Sequence, residues 1–223
     1  MTSSGRLRLD ALTRYTQDVS DDDTNDAGLG PEPSWVVRRT VVDVLAPAVL
    51  AETITITTHC SGLGRRWAER HLSVVGDAGA AYEASTLWIC IDIEAGRPTV
   101  LTDEFLSIYG SSTRGRTVTA RLTHPKPVPD ANHWSWPLRT VDFDIYNHVN
   151  NAAYWAVVEE SLAVQVPTVP FRTSLEYRDG VVVDDEVTIA SAEVDGARHL
   201  WWLTGEATVA ASALIESLPA RGD

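Results

Sequence analysis

The chain has 223 residues, of which 44% are hydrophobic, enough to form the core of one large domain or two small ones. Its formal net charge of -13 argues against partners such as nucleic acid or an anionic membrane surface, which demand clustered cations. No apolar stretch approaches the roughly 20 residues of a membrane span, and the first residues lack the pattern of a secretory signal, which predicts a cytoplasmic protein.

In chain order, LRLDALTRYTQDV places Leu9, Leu12, Tyr15 and Val19 at helical spacing, and the acidic run SDDDTND (Ser20 to Asp26) after it reads as a solvated turn. Alternation and β-branched residues then predict strands at Trp35 to Val44, Glu52 to Thr58, Gly64 to Val75 and Tyr82 to Ile93. The two cysteines, Cys60 and Cys90, lie inside such runs and read as buried thiols; no short Cys or His spacing suggests a metal site. Gly110 to Asn132, with SSTRG and THPKPVPD, reads as a linker. A second helix follows in NNAAYWAVVEESL, with Ala153, Tyr154, Val157, Val158 and Leu162 on one stripe, and strands recur at Phe171 to Tyr177, Glu186 to Glu193 and Arg198 to Leu214.

The two halves look like copies. At an offset of 134 residues Glu52-Thr-Ile-Thr-Ile falls on Glu186-Val-Thr-Ile-Ala, Gly62 on Gly196 and Trp67 on Trp201. One helix followed by mostly antiparallel strands, repeated, predicts an α+β pseudo-dimer in which a sheet wraps a long central helix twice over. The divisions are an N-terminal unit over 1–109, a linker over 110–132 and a C-terminal unit over 133–223.

DFDIYNHVNN, residues 142–151, gathers Asp142, Asp144, Asn147, His148, Asn150 and Asn151 just before the second apolar helix. If that helix starts near Asn147 or His148, its first N–H groups favour a negatively charged oxygen. Asn147 as an N-cap and Asp144 as a turn former give a purely structural account. The first helix opens with RLRLDALT and has no such cluster, so capping alone does not require it.

The stretch DFDIYNHVNNAAYWAVVEES resembles the D-x-D-x-x-x-H-V-N-N-x-x-Y signature of hot-dog fold thioesterases. YEASTLWICIDIEAGRPTVLTDEFLSIYG and LEYRDGVVVDDEV are similar to segments of the acyl-acyl carrier protein thioesterases of plant plastids and bacteria. That resemblance implies two fused hot-dog domains and hydrolysis of a fatty acyl thioester on acyl carrier protein, with no metal or organic cofactor. It puts catalytic roles on Asp144, His148 and Glu160, with Asn150 and Asn151 as the paired asparagines. Two positions depart from the family: Tyr146 stands where an asparagine is usual, with Asn147 next to it, and Gly180 stands where a glutamate is usual. Asp179 is one residue away, which in a strand would turn it to the other face. The simpler template D-x-x-G-H-V-N-N, of hot-dog enzymes acting on coenzyme A esters, differs only in having glycine at Asn147.

The mechanism expected from these residues docks the thioester carbonyl on backbone N–H groups of His148 to Asn151, with Asp144 as nucleophile or as base for a water and His148 as orienting group or proton relay. Trp134, Trp136, Trp155, Trp201 and Trp202 are candidates to line an acyl tunnel. Arg38 and Arg39, or Arg65, Arg66 and Arg70, or Arg114, Arg116, Arg121 and Lys126, are candidates for a basic face toward an acidic carrier protein. The alternatives are an acyl-coenzyme A thioesterase and an acyl-binding protein without turnover, in either case a monomer or a homodimer.

Overall fold

The computed structural model describes residues 1–30, 34–165 and 167–219. The elements in order are α1 (Leu9–Asp26), β1 (Ser34–Ala46), β2 (Ile54–Leu63), β3 (Trp67–Gly76), β4 (Ala81–Asp92), β5 (Arg97–Pro98), α2 (Asp103–Tyr109), β6 (Asn132–Trp136), α3 (Tyr154–Val164), β7 (Phe171–Tyr177), β8 (Val187–Val194), β9 (Ala197–Thr204) and β10 (Thr208–Ser217).

The strands form one antiparallel sheet in the order β2-β3-β4-β1-β7-β10-β9-β8-β6, with β5 paired to β4. The order mirrors itself about the β1–β7 seam, where Arg39 pairs with Glu176 and Val44 with Phe171. The expected duplication is therefore present as topology. Its register departs from 134: the inward Ile54 and Ile56 of β2 correspond to the inward Val187 and Ile189 of β8, an offset of 133, and the ladder partners of Ile56 and Ile189, Val74 of β3 and Trp202 of β9, are 128 apart. Gly62, inside β2, therefore does not match Gly196, in the β8–β9 turn, nor does Trp67 match Trp201. In a strand a slip of one exchanges faces, so matching side chains rather than sequence letters sets the offset.

The inner face of the sheet packs on the helices. Leu9 and Leu12 of α1, and Tyr154, Trp155, Val157, Val158 and Leu162 of α3, share one core with Val42, Leu72, Tyr82, Phe171, Leu175 and Trp202. Helix α1 runs for 18 residues and α3 for 11. Arg8 gives α1 no side-chain cap, and Glu159 of α3 does so instead: its Oε1 accepts from Leu9 N–H, and the carboxylate forms a bidentate pair with Arg6 at 3.0 and 2.6 Å.

Several expectations need correction. SDDDTND is the end of α1, not a turn: the Ser20 and Thr24 hydroxyls donate to carbonyls four residues back, and Asp23 pairs with Arg70 at 2.6 Å and accepts from the Tyr109 hydroxyl. Those partners offset the unfavourable placement of aspartates at a helix C-terminus. Tyr15 is exposed, not part of the buried stripe. Arg198 to Leu214 is two strands, split by a turn in which Gly205 and Ala207 take positive φ. The short α2 and the edge strand β6 carry little periodicity and are not anticipated. The second helix begins at Tyr154, not near Asn147 or His148.

Cys60 and Cys90 are free and buried, as the β-like runs around them suggest. The segment between the halves lies along the outer face of the sheet. Trp67 Nε1 donates to Val118 O and Trp201 Nε1 to Pro125 O, both at 2.9 Å. The fully buried Glu176 carboxylate accepts from the N–H groups of Thr123 and His124 at 2.6 and 3.1 Å. Among the described residues no helix is long and apolar enough to cross a membrane.

Candidate active site

DFDIYNHVNN is a tight hairpin leading into α3. Phe143 and Val149 form an antiparallel bridge, Asp144 N–H donates to His148 O at 2.8 Å, and Asn147 N–H donates to Asp144 O at 3.1 Å. Asn147 closes the turn with φ of 58°, a left-handed conformation that favours glycine or asparagine. That explains how Asn147 can stand where the coenzyme A template has glycine. The Asp144 carboxylate holds the turn from within: Oδ1 accepts from Tyr146 N–H at 2.9 Å and His148 N–H at 3.1 Å. Its Oδ2 makes no hydrogen bond to the described residues, and the side chain is half-buried.

The backbone donors expected at His148 to Asn151 are mostly engaged. His148 N–H goes to Asp144, Val149 N–H to Val181 O at 2.8 Å and Asn150 N–H to Asp142 O at 2.7 Å. Asn151 N–H donates to none of the described residues. Asn150 is the local cap: its Oδ1 accepts from Ala152 N–H at 2.9 Å and its carbonyl from Ala153 N–H, opening a tight turn that runs into α3. Asn151 is fixed from the sheet, its carbonyl accepting from the Tyr177 hydroxyl at 3.0 Å, while Trp155 Nε1 donates to that hydroxyl.

Asp142 is buried and structural. Burial opposes its charge, but hydrogen bonds from the Arg139 side chain and backbone outweigh it and hold the pKa below the usual value. His148 is exposed, and its ring lies against Gly180, where an added Cβ would stand 3.2 Å from Cδ2. Strand β7 ends at Tyr177, so strand alternation does not govern Asp179. The buried Tyr154 phenol is pushed up chiefly by burial, against a lowering hydrogen bond with the Val181 backbone, and the charges of Asp185, Asp179 and Asp144 add to the rise. Sequence spacing does not reveal that influence, because the β7–β8 loop supplies two of the three charges. Glu160 is exposed on α3 and makes no hydrogen bond to the described residues; its neighbour Glu159 is the buried one.

The tryptophans expected to line a tunnel mostly fill space. Trp136, Tyr154, Tyr177 and Trp202 form an aromatic cluster with ring centroids 5.4 to 6.4 Å apart inside the C-terminal half. Trp201 stacks on His199 on the outer face, and Trp134 is exposed. Space is left instead in the N-terminal half, in a small pocket of about 70 Å³ between α1, α2 and the inner face of the sheet, walled by Trp35, Trp88 and Phe105, and in a wider cleft of about 500 Å³ between α1 and β2, lined by Leu7, Val19, Ile54 and Ile56. Among the candidate basic groups, Arg70 is buried against Asp23 and is not a surface residue. Arg39 reaches the carbonyls of Thr119 and Arg121, and Arg38 reaches Tyr177 O. Arg178, which no sequence signal singles out, stands near Arg38; burial and its charge lower the Arg38 pKa. Arg178 lies two residues before Gly180 in the chain.

A mirrored antiparallel sheet with an Asp/His/Asn hairpin at the start of the second helix defines a double hot-dog protein of the thioesterase class. Residues 2–109 match the acyl-ACP thioesterase N-terminal domain, and residues 126–213 match the acyl-ACP thioesterase C-terminal domain. The chain belongs to the acyl-ACP thioesterase family, and it is a fatty acyl thioester hydrolase. It is 35% identical over 216 residues to the uncharacterized protein Rv2001 of Mycobacterium tuberculosis, a match covering 96% of this chain and 86% of that one. Its fold is similar to an acyl-ACP thioesterase from Bacteroides thetaiotaomicron, with 17% identity, TM-score 0.77, and coverage of 97% and 92% of the two chains. It is equally similar to the 12:0-ACP thioesterase from Umbellularia californica, with 20% identity, TM-score 0.77, and coverage of 99% and 93%.

Proposed function

We propose that the Asp144 to Asn151 hairpin is the hydrolytic centre and that acyl carrier protein delivers the thioester to it. The observation that carries this reading is the division of labour in Asp144: Oδ1 holds the turn, and Oδ2 is left for chemistry. Oδ2 attacks the carbonyl carbon or takes a proton from the attacking water. Asn151 N–H, with the side-chain amides of Asn150 and Asn151, supplies donors for the carbonyl oxygen as negative charge develops on it. His148, exposed beside Gly180, orients the ester and relays a proton to the leaving thiolate. Asn147 acts through the turn that it closes. Glu160, remote from hydrogen bonding in the hairpin, keeps at most a role at the edge of the site.

With the C-terminal interior filled by aromatics, the acyl chain extends into the N-terminal half, toward the pocket walled by Trp35, Trp88 and Phe105. Arg38, Arg39, Arg121 and Arg178 offer the anionic carrier a local basic face on an acidic protein. The reading divides the chain into units 1–109 and 133–223 joined by 110–132, and supposes a cytoplasmic location.

The test is steady-state thiol release from carrier-protein and coenzyme A esters of the same acyl chain. A kcat/KM favouring the carrier-protein ester, weakened by Arg178→Glu, supports this reading. Preference for the coenzyme A ester would replace the partner, and acyl binding without release on either ester would replace the activity.

A further inference from the structure

Hydrolysis of a plain acyl chain makes no use of the polar groups at the N-terminal pocket. Trp88, on β4, lines that pocket, and its indole N–H is buried with no hydrogen-bond partner among the described residues. Across β3 stands Arg70, only 9% of whose side chain is exposed. Arg70 Nη1 reaches Asp23 and Thr58, while its Nε and Nη2 make no hydrogen bond to the described residues. From the helix side come Ser20, Thr24 and Asp21. The two hydroxyls donate to helix carbonyls and so face the pocket as acceptors. On the sheet side Trp88 and Arg70 hold uncommitted donors, the Glu69 carboxylate there being taken up by Ser61 and Arg116, and the helix side holds acceptors. A buried donor left without an acceptor is costly, and a ligand oxygen removes that cost.

We infer that this pocket selects an acyl chain carrying a hydroxyl group far from the thioester. A hydroxyl both accepts and donates, so one group serves the Trp88 N–H and an acceptor on α1 together. The inference rests on the thioesterase reading only for the position of the ester. The two places lie against neighbouring strands of one inner face: Tyr177, bonded to the Asn151 carbonyl, lies on β7, Thr40 on β1, and Thr86 on β4, with Thr40 and Thr86 hydroxyl oxygens 3.4 Å apart. From β7 to β4 is two strand spacings, about 10 Å, and to β3 three, about 14 Å. The hydroxyl is therefore placed well along the chain, not beside the carbonyl.

The experiment compares carrier-protein thioesters of dodecanoate with those of its 8-, 10- and 12-hydroxy derivatives, and measures binding of the four free acids by calorimetry. At least one hydroxy isomer is expected to exceed dodecanoate by about fivefold or more in kcat/KM and in affinity, the scale of one hydrogen bond made in a buried site. Trp88→Phe keeps the ring and removes the N–H, and brings that ratio toward one. A wild-type ratio near or below one for every isomer overturns the inference, as does failure of all four acids to bind. The wild-type ratio decides the matter even where Trp88→Phe does not fold. Tighter binding of a hydroxy acid with no ester hydrolysed leaves the pocket assignment standing and removes the hydrolase reading. Hydrolysis without hydroxyl preference does the reverse.

Discussion

Replacing Asp144 by asparagine and by alanine separates its two tasks. In the native hairpin one carboxylate oxygen accepts two N–H bonds, at 2.9 and 3.1 Å. Asparagine retains an oxygen that can accept both, and loses the charge; the expected cost is about 1 kcal/mol, since neutral bonds are worth less than charge-assisted ones. Alanine removes the acceptor and leaves both N–H groups to solvent in a half-exposed loop, for about 2 to 3 kcal/mol. In a chain of this size 1 kcal/mol moves Tm by roughly 2 to 4 °C, so the two variants separate clearly in a thermal melt. Both lose the free Oδ2, and both should lower thioester hydrolysis by about 10²-fold or more. Thiol release and melting temperature measured on the same preparations make the comparison. Asp144→Asn turning over within about threefold of the native enzyme would refute the catalytic assignment and leave Asp144 as a turn former.

Three further outcomes follow from the packing. Glu159→Ala strands Arg6, whose side chain is 11% exposed, and uncaps α1, and should cost about 3 kcal/mol or more in denaturant unfolding, whereas Glu160→Ala should fall within about 0.5 kcal/mol; equal effects would overturn the distinction. Asn147→Gly should leave stability and turnover nearly unchanged, while Asn147→Val, forced to φ of 58°, should lose about 1 to 2 kcal/mol together with activity; a fully active valine variant would show that the turn does not position Asp144. Burial lowers the His124 pKa, opposed by Glu176 and reinforced by His199 and Arg178. Although Nδ1 lies 4.0 Å from Glu176, a neutral ring is satisfied by Ser212 and by the Ser174 hydroxyl at 2.8 Å. The unfolded chain then takes up the proton first, so stability present above about pH 6.5 is lost as pH falls toward the lower folded value. Melts across that range should show Tm dropping, with a shallower slope in His124→Gln; a flat native profile would contradict the assignment.

Features carried by contiguous residues are legible in the sequence. Alternation locates β1 to β4, β7 and β8 because each strand has one face on the helices, and the hairpin motif is compact enough to be seen whole. Long-range partners are not legible. SDDDTND looks like a solvated turn until Arg70 and Tyr109 reach Asp23, and HVNN looks like a helix start until Val149 pairs with Val181 and Asn150 with Asp142. The adjacent glutamates 159 and 160 differ only in which one points at the N-terminus of α1, a fact that belongs to helix packing.

The two departures from the family pattern illustrate the same point within the site. An asparagine side chain is missing at Tyr146, yet it is the Tyr146 backbone N–H that binds Asp144 Oδ1, and any residue but proline supplies that group. The absent glutamate leaves Gly180 bare, and the His148 ring occupies the space against it, 3.2 Å from where a Cβ would begin. A glutamate there would have to move His148 or share its place. Asp179 and Asp185 lie beyond the end of β7, where strand alternation no longer applies, and their charges add to burial in raising the Tyr154 pKa. Loss of the two usual side chains therefore does not dismantle the hairpin. It leaves Asp144 held by two backbone N–H groups through Oδ1, with Oδ2 making no hydrogen bond to the described residues.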